Sequence, residues 1–76
     1  MDHRIAEAFG QVLRAEREEA GLSQEKLAFE SGIDRTFVSM LERGVRQPSL
    51  TTIFHICEAL GVAPDDVVTK TSQRLQ

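Results

Sequence analysis

Glycines at positions 21, 32, 44 and 61 cut this 76-residue chain into short stretches, and within the stretches apolar residues recur three or four apart. That spacing puts side chains on one face of an α-helix, and glycine is the residue that most readily ends one. Ile5, Phe9, Val12 and Leu13 mark one face of a first helix from about Ile5 to Glu19, ended near Gly21. Ser23 is a good N-cap for a second helix, Gln24 to Ser31, that buries Leu27 and Ala28. Asp34 is the N-cap candidate of a third helix ending near Arg43, and Val45 to Pro48 reads as a loop. Ser49 caps a fourth helix carrying Leu50, Ile53, Ile56, Cys57 and Leu60. Pro64 suits the first position of a short fifth helix through Asp65, Asp66, Val67 and Val68. The polar tail, residues 69–76, is expected either to fray or to extend that helix. Tyr and Trp are absent and no alternating pattern persists, so strands are not expected. The expectation is one compact all-α domain spanning 1–76.

Several function classes drop out. No apolar run approaches the ~18 residues of a membrane helix. Met1-Asp2-His3-Arg4-Ile5 leads into no signal-peptide core, so a cytoplasmic address is expected. Cys57, the one cysteine, reads as a core residue, and neither His3 nor His55 has partners at metal-ligand or triad spacing. With no glycine-rich phosphate loop and no nucleophile–base pair, neither an enzyme nor a cofactor nor a metal site is expected. Glu16, Glu18 and Glu19 read as a solvated acidic face. The net charge of −3 does not exclude nucleic acid, because binding uses a local patch rather than a sum.

The informative segment is about 23–43. Ala28 is small enough for two helices to cross closely, Gly32 can take positive φ in a tight turn, and Val38 and Leu41 can pack the next helix back. These are the requirements of a helix-turn-helix. At about 100° per residue, Arg35, Ser39, Arg43 and Thr36 share one polar sector of the third helix, with Val38 and Leu41 opposite. Arginine can bond bidentately to guanine, and the hydroxyls can bond to several bases. Arg35, Arg43 and Arg46 against Asp34 and Glu42 leave a local balance of +1. The same pattern also fits a helical domain with a solvated face, and the residues alone leave both readings open.

From Phe9 to Val68 the chain resembles the Cro/phage-repressor (Xre) family. The resemblance rests on the blocks LRAEREEAGLSQEKLA, SGIDRTFVSMLERGVRQPSL and LGV, in unbroken register over about four-fifths of the chain. It implies a five-helix, lambda-repressor-like domain whose second motif helix, about 34–43, lies in the major groove of double-stranded DNA. The implied function is sequence-specific transcription regulation by a homodimer on a palindromic operator. Arg35, Thr36, Ser39 and Met40 match base-reading positions. Gln24, Arg43 and Arg46 match phosphate-contact positions, Gln24 also bracing the recognition helix. Arg17 and Glu42 match a buried pair joining the first helix to the third. Phe37 stands where many relatives carry tyrosine and reads as a packing residue. Ala63 replaces a usual serine cap, so the fifth helix is expected to fray. Phe54 either caps the monomer core or, with Val67 and Val68, forms an exposed apolar patch, the dimer interface that the family often builds from its fourth and fifth helices.

The string Asp34-Arg35-Thr36 before an aromatic, followed by Glu42-Arg43, is also similar to the controller proteins of restriction–modification systems. A chain this short leaves no room for an effector domain, so control is expected through concentration, operator arrangement or a partner. A polymerase contact is one candidate. The alternative is an antitoxin-like interaction module that binds a toxin as well as DNA.

Overall fold

The computed structural model describes all 76 residues and contains five helices: α1 His3–Glu19, α2 Gln24–Ser31, α3 Arg35–Glu42, α4 Leu50–Leu60 and α5 Pro64–Arg74. Their starts follow from local chemistry. Asp2 Oδ1 accepts from the backbone N–H of Arg4 at 2.9 Å and of Ile5 at 3.2 Å, so α1 begins two residues earlier than its apolar face. Ser23 Oγ accepts from Lys26 N–H at 3.0 Å, and Ser49 Oγ from Thr52 N–H at 3.1 Å. Each such bond satisfies a donor that the first turn leaves unpaired. Asp34 occupies the N-cap position of α3 but makes no capping bond. At the α2–α3 turn Gly32 adopts φ +71, and Ile33 N–H closes on the Ala28 carbonyl at 3.0 Å. No helix is long and apolar enough to cross a membrane.

One core holds the molecule together. Phe9, Val12 and Leu13 of α1, Leu27 and Ala28 of α2, Val38 and Leu41 of α3, Ile56 and Cys57 of α4, and Val67 of α5 are all buried in it. Each large member contributes about 1.5–3 kcal/mol by leaving water. α1 packs on α3 and α5, α2 packs on α3 and α4, and α5 closes against α4. The result measures 31 × 22 × 21 Å.

α1 lies directly on the C-terminal end of α3. A Cβ on Gly10 would run into the Leu41 carbonyl and sit 2.6 Å from that of Glu42. One turn earlier, a Cβ on Gly44 would meet Glu7 Cα at 2.9 Å. Two glycines therefore set how closely the first helix approaches the third.

The structure departs from the sequence reading at four places. Ile5, placed on the buried face of α1, is 41% exposed. Leu50, assigned to the apolar stripe of α4, is 68% exposed; the buried part of that helix, Ile56 and Cys57, comes later. Val67, expected in a surface patch, is 3% exposed and belongs to the core, because it is the α5 residue turned inward. α5 does not fray at Ala63. It runs to Arg74 despite having no side-chain cap, with Pro64 at its start and Asp65 and Asp66 in the first turn, where carboxylates favour the helix dipole. Packing holds its second half: Thr71 is buried, Lys70 pairs with Glu16, and Arg74 Nη1 donates to Gln11 Oε1 at 2.9 Å.

Candidate nucleic-acid interface

α3 is amphipathic, and its two faces have separate fates. Val38 and Leu41 are fully buried, whereas Arg35, Thr36 and Arg43 are exposed, and Ser39 and Met40 are half-buried beside them. Arg43 Nε donates to Ser39 Oγ at 3.3 Å, one turn back on the same face. Arg46 is exposed in the loop that follows. Phe37 is half-buried and packs against the core. The eight residues of α3 span about 12 Å at 1.5 Å each, which matches the ~12 Å width of a major groove.

The orientation of this face is fixed from behind by one carboxylate. Arg17 Nε lies 2.6 Å from Glu42 Oε2, and Arg17 Nη2 donates to Glu42 Oε1 at 3.1 Å. Gln24 Nε2 donates to the same Oε1 at 3.0 Å, and Arg17 Nη1 donates to the Leu22 carbonyl at 2.8 Å. The Arg17 and Glu42 side chains are only 12% and 4% exposed. Hydrogen bonding to Glu42 raises the guanidinium pKa above its ordinary value, against the smaller opposing effect of burial. α1, the loop before α2, the first residue of α2 and the last of α3 are thus joined in one network. A planar guanidinium suits such a site because it meets a carboxylate at two points.

That pairing changes the electrostatics of the outer face. With Glu42 neutralised inside, the outward charges are Arg35, Arg43 and Arg46 against Asp34 alone, or 3 − 1 = +2. The acidic residues Glu16, Glu18 and Glu19 flank Arg17 on α1, and two of them are paired, Glu16 with Lys70 and Glu18 with Arg14.

A second surface is apolar. Phe54 is 53% and Val68 55% exposed. A hollow of about 180 Å³ between α1, α4 and α5 is lined by Ile5, Phe9, Pro48, Ile53 and Val68, among others. Ile5 lines this hollow, and Leu50 lies exposed one turn before Phe54 on α4. Both were read as core residues, although an apolar side chain at the outer edge of a helical stripe fits a core or an interface equally well. Elsewhere, Cys57 is buried, and desolvation pushes its thiol pKa up. His3 and His55 are exposed.

The helix-turn-helix family model matches residues 13–67, which includes α2, the turn and α3. The chain belongs to this family of DNA-binding transcription regulators. It is 45% identical over 73 residues to control protein C.BamHI of Bacillus amyloliquefaciens, covering 95% of this chain and 90% of that one. Among solved structures, the restriction–modification controller protein C.AhdI of Aeromonas hydrophila is 47% identical and superposes with a TM-score of 0.80, over 82% of this chain and 94% of that one. The clp gene regulator ClgR of C. glutamicum superposes with a TM-score of 0.90 at 30% identity, over 95% and 94%. These relatives are regulators rather than enzymes.

Sequence reasoning missed two features that set the interface. Gly10 carried a signal, since an isolated glycine inside a helical pattern marks a close backbone approach. Gly44 reads from the sequence only as a helix terminator, and nothing in its neighbours points to Glu7.

Proposed function

We propose that the protein is a sequence-specific regulator that binds a palindromic operator as a homodimer, with α3 in the major groove. The observation that carries this is the exposed polar face of α3, which presents three arginines in and just after the helix and is held from behind by the Arg17–Glu42–Gln24 network. Arg35, Thr36, Ser39 and Met40 read base edges. Arg43, Arg46 and Gln24 anchor phosphates, Gln24 through the one amide hydrogen its bond to Glu42 leaves free. The dimer forms through the apolar surface of Ile5, Leu50, Phe54 and Val68, with Val67 behind it in the core. Bodies 21–31 Å across, paired side by side, suit recognition helices one DNA turn apart, about 34–36 Å. Similarity to C.BamHI and C.AhdI favours a restriction–modification controller role.

Selection from a random DNA library at about 150 mM salt, where the Debye length is about 8 Å, tests the reading. Enrichment of a two-fold symmetric motif with half-sites about one turn apart is expected. Enrichment of no sequence would overturn it. Measured on the selected operator and on scrambled DNA, Arg43→Ala should weaken binding to both alike and lower the salt slope by about one.

A further inference from the structure

Asp34 sits at the N-cap of α3 with extended backbone, yet its carboxylate accepts no bond from its own helix. The other three polar N-caps, Asp2, Ser23 and Ser49, all do. Asp34 also pairs with no cation and is exposed. A free carboxylate on a face that meets phosphates opposes binding unless it finds a donor. Beside it lies a shallow hollow of about 590 Å³, lined by Ile33, Thr36, Phe37 and Met40 together with Gly32 and Asp34. Ile33 and Phe37 rest on the core, which makes the floor of the hollow firm.

In the major groove only two bases offer a donor, cytosine through its 4-amino group and adenine through its 6-amino group. They differ in what lies beside it. Adenine places the acceptor N7 there, which the apolar side of the hollow, Ile33, Phe37 and Met40, leaves unsatisfied. Cytosine places its C5 edge there, which is apolar and which a methyl group extends. An acceptor next to that apolar side therefore matches cytosine, and matches 5-methylcytosine better. Thymine carries the methyl but turns a carbonyl toward the carboxylate.

We propose that Asp34 and the adjoining hollow of Ile33, Phe37 and Met40 read the amino group and the 5-position of a cytosine in each half-site, so that the protein distinguishes 5-methylcytosine from cytosine. The inference rests on the DNA-binding reading above. It makes the methylation state of the operator an input to binding.

The test uses the selected operator with each pyrimidine of the half-site set in turn to cytosine, 5-methylcytosine, uracil or thymine, with the matching purine opposite. At one position per half-site, wild type should bind cytosine about tenfold more tightly than uracil. A 5-methyl group on either should tighten binding about fourfold, the value of one buried methyl. Asp34→Asn, whose amide can donate or accept, should bring cytosine and uracil within about twofold and keep the methyl gain. Met40→Ala should lose the methyl gain and keep the preference for cytosine. Circular dichroism should show both variants folded, since the Asp34 side chain makes no bond within the domain and Met40 lies outside the core. An unchanged cytosine-to-uracil ratio in Asp34→Asn at every position overturns the inference while leaving DNA binding intact. So does a methyl group that never tightens wild-type binding. Wild type with no preference for any sequence overturns both readings together.

Discussion

Glu42 is where stability and function meet in a single side chain. It accepts from Arg17 and Gln24 in a site that water barely reaches. Removing one member of a buried pair strands the other, at a cost of about 3–5 kcal/mol. A chain of this length is stabilised by roughly 4–11 kcal/mol in all. Glu42→Ala should therefore lose a large share of its stability in urea unfolding. The double variant Arg17→Met, Glu42→Leu should recover most of it, because an apolar pair can replace a buried ion pair. Its operator affinity should stay low, because Gln24 has lost its anchor on α3. Recovery of both together would show that the network only stabilises the fold. Cys57 offers a second residue-scale check. Burial raises the folded thiol pKa, so the unfolded chain ionises first as pH climbs through the ordinary thiol range. Stability should be full below that range and decline above it. A Cys57→Ala variant should lack that part of the decline.

At the scale of elements, the sequence was legible wherever one local rule acted alone. Ser23 and Ser49 start helices and Gly32 and Gly61 end them, because capping depends on a few neighbouring atoms. α5 was not legible. Its local signal at Ala63 is poor, and Val67 and Thr71, packed against distant residues, hold it in place. Asp34 shows the converse, with a good capping residue whose side chain does not cap. Ile5 and Leu50 show the limit of periodicity, which marks an apolar face without telling what covers it. The α1–α3 crossing is the element-scale feature most open to test. Gly10→Ala gains about 1 kcal/mol of helix propensity, but its Cβ meets backbone carbonyls that cannot turn aside. A net loss of about 1–3 kcal/mol is expected, the range for overpacking. Operator affinity should fall further than stability alone explains, because the displaced element is α3. A melting temperature at or above wild type would show that α1 has room to move.

For the whole molecule, the surfaces divide the work. The outward face of α3 carries +2 and an apolar surface lies exposed elsewhere, and the proposed function gives the first to DNA and the second to a second copy. A standard interface covers about 800 Å² per partner, a modest part of the 4769 Å² surface. Light scattering should give twice the 8.5 kDa chain mass for wild type and the single chain mass for Phe54→Glu. An unchanged dimer mass would remove Phe54 from the interface. The central claim, that α3 reads bases, is tested most directly by measuring the affinity of wild type and Arg35→Ala for the selected operator and for scrambled DNA at one salt concentration. Arg35→Ala should lose about 1–3 kcal/mol on the operator, with little change on scrambled DNA, so that the ratio between the two collapses. Equal losses on both would make Arg35 a phosphate anchor and contradict the account.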